Sequence, residues 1–195
     1  MIFYYLDTQI YYIMDYTITE LNISHKGLFT LPDDISSYLL VLDCYYNNLT
    51  ELDNLPQMLK ELNCSSNSLS SLNNLPTTLE RLNCYYNKLE TLDNLPLKLI
   101  WLSCGNNPLS SLNNLPPALE ILHCTDIQST TLDNLPLSLK QLYCNSNQIK
   151  VLDYLPSTLE LLYLGYNTKL IHEPKNFKLT LKPNTFSTYT LEYIQ

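Results

Sequence analysis

The sequence predicts a solenoid of stacked repeats with a parallel β-sheet along one side. A 20-residue unit recurs in register from Val41, with leucine in all seven units and cysteine in six of them at fixed positions, here called columns and counted from the first residue of the unit. Such a unit is too small to bury its own apolar side, whereas stacked copies bury a continuous core. The units begin at Val41, Glu61, Arg81, Trp101, Ile121, Gln141 and Leu161.

The start of each unit predicts a short β-strand. Column two holds leucine in every unit, and column four holds all six cysteines of the chain. The alternation of Leu62, Asn63 and Cys64 is the period-two pattern of a strand with one buried face. Strands of neighbouring units then pair in parallel.

The rest of the unit predicts turns rather than a helix. Column seven holds asparagine in six of the seven units, where a side-chain amide can donate to and accept from backbone groups that would otherwise be buried and unpaired. Column sixteen holds proline in six of the seven units, and proline disfavours helix entry for the preceding leucine. Too few residues separate Leu52 from Leu59 for a regular helix. The side opposite the sheet is therefore expected to be extended, polyproline-like or 3₁₀, with little α-helix.

The ends of the chain are not repeats. The array is expected to span residues 21–171, in seven to eight units. Residues 1–20 are predicted to form an N-terminal cap, because an open strand edge invites aggregation. An alternating apolar stretch from Phe177, a Lys-Pro-Asn turn and a second β-rich stretch predict a capping β-hairpin within residues 172–195.

The composition excludes several kinds of site. The three glycines, Gly27, Gly105 and Gly165, are too scattered for a P-loop or a dinucleotide-binding fingerprint. The three histidines lack the spacing of a zinc site or of an HExxH motif. Neither a cofactor nor a metal is expected, and no catalytic residue is assigned.

Charge and hydropathy also restrict the partners. A formal net charge of -8 repels phosphate backbones and anionic lipid surfaces, so nucleic acid and membranes are not expected partners. No stretch reaches the 18 consecutive apolar residues of a membrane span. The first 20 residues lack the basic region and cleavage site of a secretory signal. The expected location is cytoplasmic, or the host cytoplasm for a viral or effector protein.

The six cysteines follow the repeat and are predicted to form a reduced packing ladder. Neighbours in adjacent strands lie about 4.8 Å apart with parallel Cβ directions, which suits a disulfide poorly. Free buried cysteine behaves as a small hydrophobic residue. Metal binding or redox sensing is the alternative interpretation.

Columns one, three, five and six point outward, so recognition is predicted there. Tyrosine and tryptophan offer large contact area with a polar group at modest entropic cost. Alternatively, tyrosine is simply frequent in this chain and shields the sheet from water. The predicted partner-binding residues are Tyr45, Tyr46, Asn63, Tyr85, Tyr86, Trp101, His123, Tyr143, Tyr163 and Tyr166.

The unit at residues 121–140 departs from the pattern. Ile127 replaces the column-seven asparagine and Ser129 replaces the column-nine leucine, while His123 and Asp126 lie nearby. This unit is either a specialised pocket or a degenerate copy. We favour degeneration, because a solenoid tolerates one weak repeat.

The segment Leu59-x-x-Leu62-x-Cys64-x-x-Asn67-x-Leu69 resembles the conserved segment of leucine-rich repeats. The Asn-Leu-Pro-x-x-Leu half is similar to the short repeats of bacterial secreted effectors and of giant-virus proteins. The resemblance covers roughly residues 21–170. It implies a curved leucine-rich-repeat solenoid with the parallel sheet on its concave face, used mostly to bind other proteins.

These observations together predict a non-catalytic module that binds another protein through its concave face. Two alternatives remain open. The chain could be the recognition part of an effector or ubiquitin-ligase-type system, although 195 residues leave no room for the catalytic domain that related bacterial proteins carry. It could also be a structural or self-assembling component.

Overall fold

The structure is a computed structural model that describes residues 18–127, 132–147, 149, 153, 155–165, 174–182 and 188–193. Ten strands form one sheet in the order β1-β2-β3-β4-β5-β6-β7-β8-β10-β9. The described residues contain no helix. The eight repeat strands are β1 Glu20–Asn22, β2 Val41–Asp43, β3 Glu61–Asn63, β4 Arg81–Asn83, β5 Trp101–Ser103, β6 Ile121–His123, β7 Gln141–Tyr143 and β8 Leu161–Tyr163.

The pairing register reproduces the repeat. Strands β1 to β8 are parallel, and Leu42 pairs with Leu62 at the 20-residue offset that recurs up to β8. The first step is one residue longer, since Leu21 pairs with Leu42. The predicted parallel solenoid is therefore confirmed.

Two antiparallel strands follow the array. β9 (Phe177–Leu181) pairs with β10 (Thr188–Tyr193), and β10 also pairs with β8. These strands lie within the segment predicted as a capping hairpin, and the buried Phe177 side chain joins the core. Residues 1–17 lie outside the described part of the chain, so the N-terminal cap remains a prediction.

The core is a stack of similar layers. Each layer contains the leucines of columns two and nineteen and the cysteine of column four. Nearly all of these side chains are fully buried. Leu62, Cys64 and Leu79 represent one layer, with exposed fractions of 2%, 0% and 0%. Each layer therefore packs on its neighbours, and the core is continuous through the described repeat strands.

Where the structure describes the side opposite the sheet, each unit forms two turns there. In one, a column-fourteen asparagine takes a left-handed conformation, such as φ 62° at Asn94, which asparagine tolerates better than most residues. In the other, the carbonyl of the buried Pro96 accepts a hydrogen bond from the Leu99 amide at 3.0 Å. Over the described residues, the prediction of extended or turn-like structure with little helix is confirmed.

The asparagines of column seven connect successive units. The Asn67 Nδ2 donates to the carbonyls of Cys44 and Cys64 at 3.1 and 3.0 Å, and Oδ1 accepts from the Leu49 amide at 3.0 Å. The asparagines of the next two units make the same three bonds. This ladder pairs buried backbone groups of two adjacent units with one side chain, as predicted.

The ladder is interrupted at Ile127 without leaving the neighbouring amides unpaired. The Ile127 side chain is buried, with 4% exposed. The Leu109 amide donates instead to the Asn107 backbone carbonyl at 2.8 Å, and the Ile127 amide donates to Asn147 Oδ1 at 2.7 Å. A buried apolar side chain thus takes the place of the ladder amide, and the choice between a degenerate copy and a specialised pocket stays a prediction. Ser129 lies outside the described residues.

Candidate functional site

The cysteine ladder provides packing and no reactive group. All six cysteines are free and buried, and the Cys44 thiol donates to the Asn63 carbonyl at 3.3 Å. Burial raises the pKa of Cys84 and Cys144 to about 12, so these thiols stay protonated at neutral pH. A protonated thiol is neither a nucleophile nor a metal ligand. Among the described residues, no group of three or more His, Cys, Asp or Glu is arranged to hold a metal ion.

The outward side chains of columns one and three on β1 to β8 form what we call the sheet face. They alternate with the buried column-two leucines because successive side chains of a strand point to opposite sides. Their burial is mostly intermediate, as in Asp43, Arg81, Trp101 and Tyr143. The sheet face is thus wide, rigid and partly shielded by its own side chains.

A continuous row of four aromatic rings crosses the last four strands of the sheet face. We call Trp101, His123, Tyr143 and Tyr163 the aromatic row. Successive ring centroids lie 5.5, 4.2 and 6.1 Å apart, and the His123 and Tyr143 rings are stacked. Partial burial lowers the pKa of His123, which favours the neutral imidazole. The row is therefore an uncharged aromatic strip.

Charge on the sheet face is confined to the first four strands. Glu20, Asp43, Glu61 and Arg81 lie there, whereas the same columns of β5 to β8 carry no carboxylate, ammonium or guanidinium. The sheet face therefore has an acidic half and an aromatic half.

Arg81 joins the two halves. Its guanidinium carbon lies 4.9 Å from the Trp101 ring centroid, and its Nε lies 3.8 Å from Glu61 Oε2. A cation over an aromatic face is an attractive arrangement. A shallow depression of about 270 Å³ lies at this junction, with Asn63 also in its wall. Arg81 is the only arginine of the chain, but it belongs to no repeated column and was not among the predicted binding residues.

Asn63 is already engaged within the sheet face. Its Nδ2 donates to Asp43 Oδ1 at 3.1 Å, and its Oδ1 accepts from the Ser65 hydroxyl at 2.6 Å. Its amide is thus held in place, and it offers a partner a fixed polar surface.

The other predicted residues lie on a second surface. Tyr45, Tyr46, Tyr85 and Tyr86 occupy columns five and six, beyond the ends of the strands, where we name the surface the loop edge. Column six turns with a positive φ, 54° at Tyr46 and 55° at Tyr86, so the strand alternation ends there. A separate depression of about 390 Å³ lies on the loop edge. Tyr166 lies outside the described residues.

Nothing in the described part of the chain would cross a membrane as a helix. No protein-family model matches the sequence, and no curated protein matches it significantly. Solved structures do match.

The leucine-rich repeat domain of a Shigella effector is 36% identical, with a TM-score of 0.63 over 69% of this chain. YopM, a leucine-rich effector protein from Yersinia pestis, is 30% identical, with a TM-score of 0.60 over 80% of this chain. The present chain covers 61% and 57% of those two chains, less than two thirds of either.

The functional domain of InlJ from Listeria monocytogenes includes a cysteine ladder. It covers 78% of this chain, and this chain covers 45% of it, with 23% identity and a TM-score of 0.51, a likeness of fold. Together with the 20-residue units and the cysteine buried in six of them, these likenesses confirm the predicted resemblance: the chain is a leucine-rich repeat solenoid with a cysteine ladder.

Proposed function

We propose that this chain is a non-catalytic module that binds another protein through its sheet face. The single observation that supports this most directly is the aromatic row, an uncharged strip of four rings on a rigid parallel sheet. The similarity to leucine-rich repeat domains of effector proteins supports an interaction role in general.

The aromatic row has the chemistry of an interface centre. Binding energy in protein interfaces concentrates in Trp, Tyr and Arg side chains that become fully desolvated, while charged groups are depleted at the centre. Trp101 and Arg81 contact each other, and Tyr143 and Tyr163 extend the strip. Because neighbouring rings restrain one another, a partner has little side-chain entropy to remove on binding.

The acidic half indicates which partner surface fits. Three carboxylates and one guanidinium lie on β1 to β4, within a chain of net charge -8. Opposite charge steers association and fixes orientation. We infer a partner that places basic residues over the acidic half and apolar or aromatic residues over the aromatic row.

The proposal is tested with a double variant, Trp101→Ala with Tyr143→Ala. The native chain is used to capture partners from its own cells, and a captured protein is then purified and titrated by calorimetry. We expect at least a tenfold loss of affinity in the variant. The matched control is Leu97→Ala with Leu137→Ala, which removes side chains that are 72% and 80% exposed on the turns opposite the sheet.

The control is expected to bind like the native chain. Equal binding by the Trp101→Ala, Tyr143→Ala variant, or loss of binding in the control alone, would show that the partner uses another surface. Thermal unfolding of both variants separates lost binding from lost folding.

A second candidate role is recognition within an effector-type protein. The observation that favours it is the 36% and 30% identity to two effectors. If it holds, the captured partner comes from a host cell rather than from the cell that makes this chain. Capture from both lysates, with the same sheet-face variant as control, decides between the two sources.

A further inference from the structure

Two tyrosines on the loop edge occupy a backbone conformation that tyrosine disfavours. Tyr46 and Tyr86 have φ values of 54° and 55°. At the same column, Ser66 and Asn106 take the same conformation with smaller side chains. The left-handed region is strained for bulky residues and tolerated by asparagine. The fold therefore requires this turn but does not require tyrosine in it.

Packing does not explain these tyrosines either. Their side chains are 59% and 60% exposed, so the rings add little to the core. Their amides are held in the inter-strand ladder, with Tyr46 N donating to the Ser65 carbonyl and Tyr86 N to the Gly105 carbonyl, both at 3.0 Å. Strain that a rigid frame maintains at exposed residues is typical of binding sites.

The two rings lie on either side of a depression of about 390 Å³. Ser66, with a smaller side chain, occupies the same column of the unit between them and also lines this depression. The His25 ring lies 4.7 Å from the Tyr46 ring at one end. The remaining lining residues are Gly27, Asn47, Asn48 and Asn67.

The floor of this depression is rigid. The Asn47 Oδ1 accepts from the Lys26 and Leu28 amides, both at 3.0 Å, and the Asn67 side chain belongs to the ladder described above. The lining of Tyr, Ser, Gly and Asn matches the composition of antibody combining sites, where tyrosine supplies contact area and small polar residues supply adaptable hydrogen bonds.

Spacing and charge define the ligand. Strands lie about 4.8 Å apart, which places the two tyrosines, two strands apart, at about 9.6 Å. A polyproline II helix repeats every three residues, about 9.3 Å. The lining of the depression carries no carboxylate, ammonium or guanidinium, and the net charge of -8 disfavours an acidic ligand.

We propose that the loop edge binds a neutral or basic proline-rich segment of a partner protein. The segment lies along the solenoid axis in the polyproline II conformation, with one proline against Tyr46 and the proline three residues on against Tyr86. Aromatic-lined grooves select such segments because their conformation is already ordered. This site is separate from the sheet face and does not depend on the function proposed above.

The test uses a synthetic peptide of three Pro-Pro-Ala repeats with an arginine at each end, and a control peptide with every proline replaced by alanine. Binding to the full chain is followed by NMR shifts and calorimetry. We expect shifts at Tyr46, Ser66 and Tyr86, and at least tenfold weaker binding of the alanine peptide. No binding of the proline peptide, or equal binding of both, would overturn the proposal.

The decisive variant is Tyr46→Asn with Tyr86→Asn. Because asparagine accepts the left-handed turn, we expect a higher melting temperature together with at least a tenfold loss of peptide affinity. Unchanged peptide binding by this variant would overturn the proposal. The Trp101→Ala, Tyr143→Ala variant is expected to keep peptide binding. The proposals for the loop edge and for the sheet face can therefore be contradicted independently of each other.

Discussion

The imidazole of His123 stacks on the ring of Tyr143, with centroids 4.2 Å apart and planes inclined by 15°. The two residues are in register on adjacent strands β6 and β7, in the same column of consecutive units. The repeat register places these two rings side by side. The tilted rings of Trp101, from column one, and of Tyr163 lie next to them on either side.

Partial burial gives His123 a predictable pH dependence. Desolvation lowers its pKa in the folded chain below the ordinary value of about 6.5. The unfolded chain therefore binds the proton more readily. The contribution of His123 to the free energy of unfolding is complete above about pH 6.5 and declines as the pH falls towards its folded pKa.

Urea unfolding of the native chain and of His123→Phe at pH 7.5 and pH 5.5 measures this contribution. The native chain should lose more stability than the variant between the two pH values. Equal losses would show that the imidazole of His123 is not desolvated.

The cysteine ladder predicts alkaline instability. Folding raises the pKa of Cys84 from about 9.0 to about 12, so the unfolded state loses its proton first. The contribution of the buried thiols to the free energy of unfolding is fully present below about pH 9. Above that pH it decreases by at most about 1.4 kcal/mol per pH unit for each thiol. Urea unfolding at pH 8, 9 and 10 should give a shallower loss for Cys84→Ala than for the native chain. The same pH dependence in both would contradict the prediction.

The six thiols should also be unreactive towards thiol reagents while the chain is folded. All six are buried, and a protonated thiol does not attack a disulfide reagent. We expect no labelling by a thiol reagent in buffer and labelling of all six cysteines in urea. Rapid labelling of several cysteines in buffer would refute a packing role.

The asparagine ladder predicts a large effect from a single buried amide. Asn87→Ala removes the acceptor of the Leu69 amide and a donor to the carbonyls of Cys64 and Cys84. The expected loss is about 2–3 kcal/mol of unfolding free energy. The exposed Asn73, changed to Ala, should shift stability by less than about 0.5 kcal/mol. Similar effects of the two substitutions would argue against the ladder.

Two substitutions at Asn94 test the left-handed turn of column fourteen. Asn94 has φ 62° and is exposed. Asn94→Gly keeps the turn and should change the melting temperature little, whereas the β-branched side chain in Asn94→Val should destabilise the chain by about 1–2 kcal/mol. Thermal unfolding measures both. A neutral Asn94→Val variant would mean that the turn does not hold this conformation in solution.

The unit of Ala118 lacks a hydroxyl in column eighteen, and a substitution that adds it is expected to stabilise the chain. The Thr78 hydroxyl lies 2.8 Å from the carbonyl oxygens of both Gln57 and Leu59, so its single hydrogen is shared between two carbonyls of the preceding unit. Ala118 occupies the same column without a hydroxyl. Ala118→Thr should add about 0.5–1 kcal/mol by bonding the carbonyls of Leu97 and Leu99, and Ala118→Val should not. Equal melting temperatures of the two variants would exclude the added bonds.

The sequence was sufficient for the array because each layer repeats the same chemistry. Leu62 and Cys64 alternate with Asn63, and this pattern alone specifies the strand, the buried face and the pairing register. Asn67 was also predictable, since its column follows the strand where backbone groups need partners.

The division of the candidate site into two surfaces was not predictable from the same patterns. Column six holds Tyr46, Ser66, Asn106 and Asp126, which share no turn signature, so the left-handed bend that ends the strand alternation cannot be inferred from residue type. The contact of Arg81 with Trp101 was missed for a similar reason, since it depends on how far two side chains reach across strands rather than on a repeated residue.

The most direct test of the proposed binding surface is an NMR footprint of a purified partner on the full chain. The proposal predicts that cross-saturation from the partner reaches the side chains of Trp101, His123, Tyr143 and Tyr163 and spares the exposed turns at Leu97 and Leu137. A footprint confined to those turns, with the aromatic row unaffected, would contradict it.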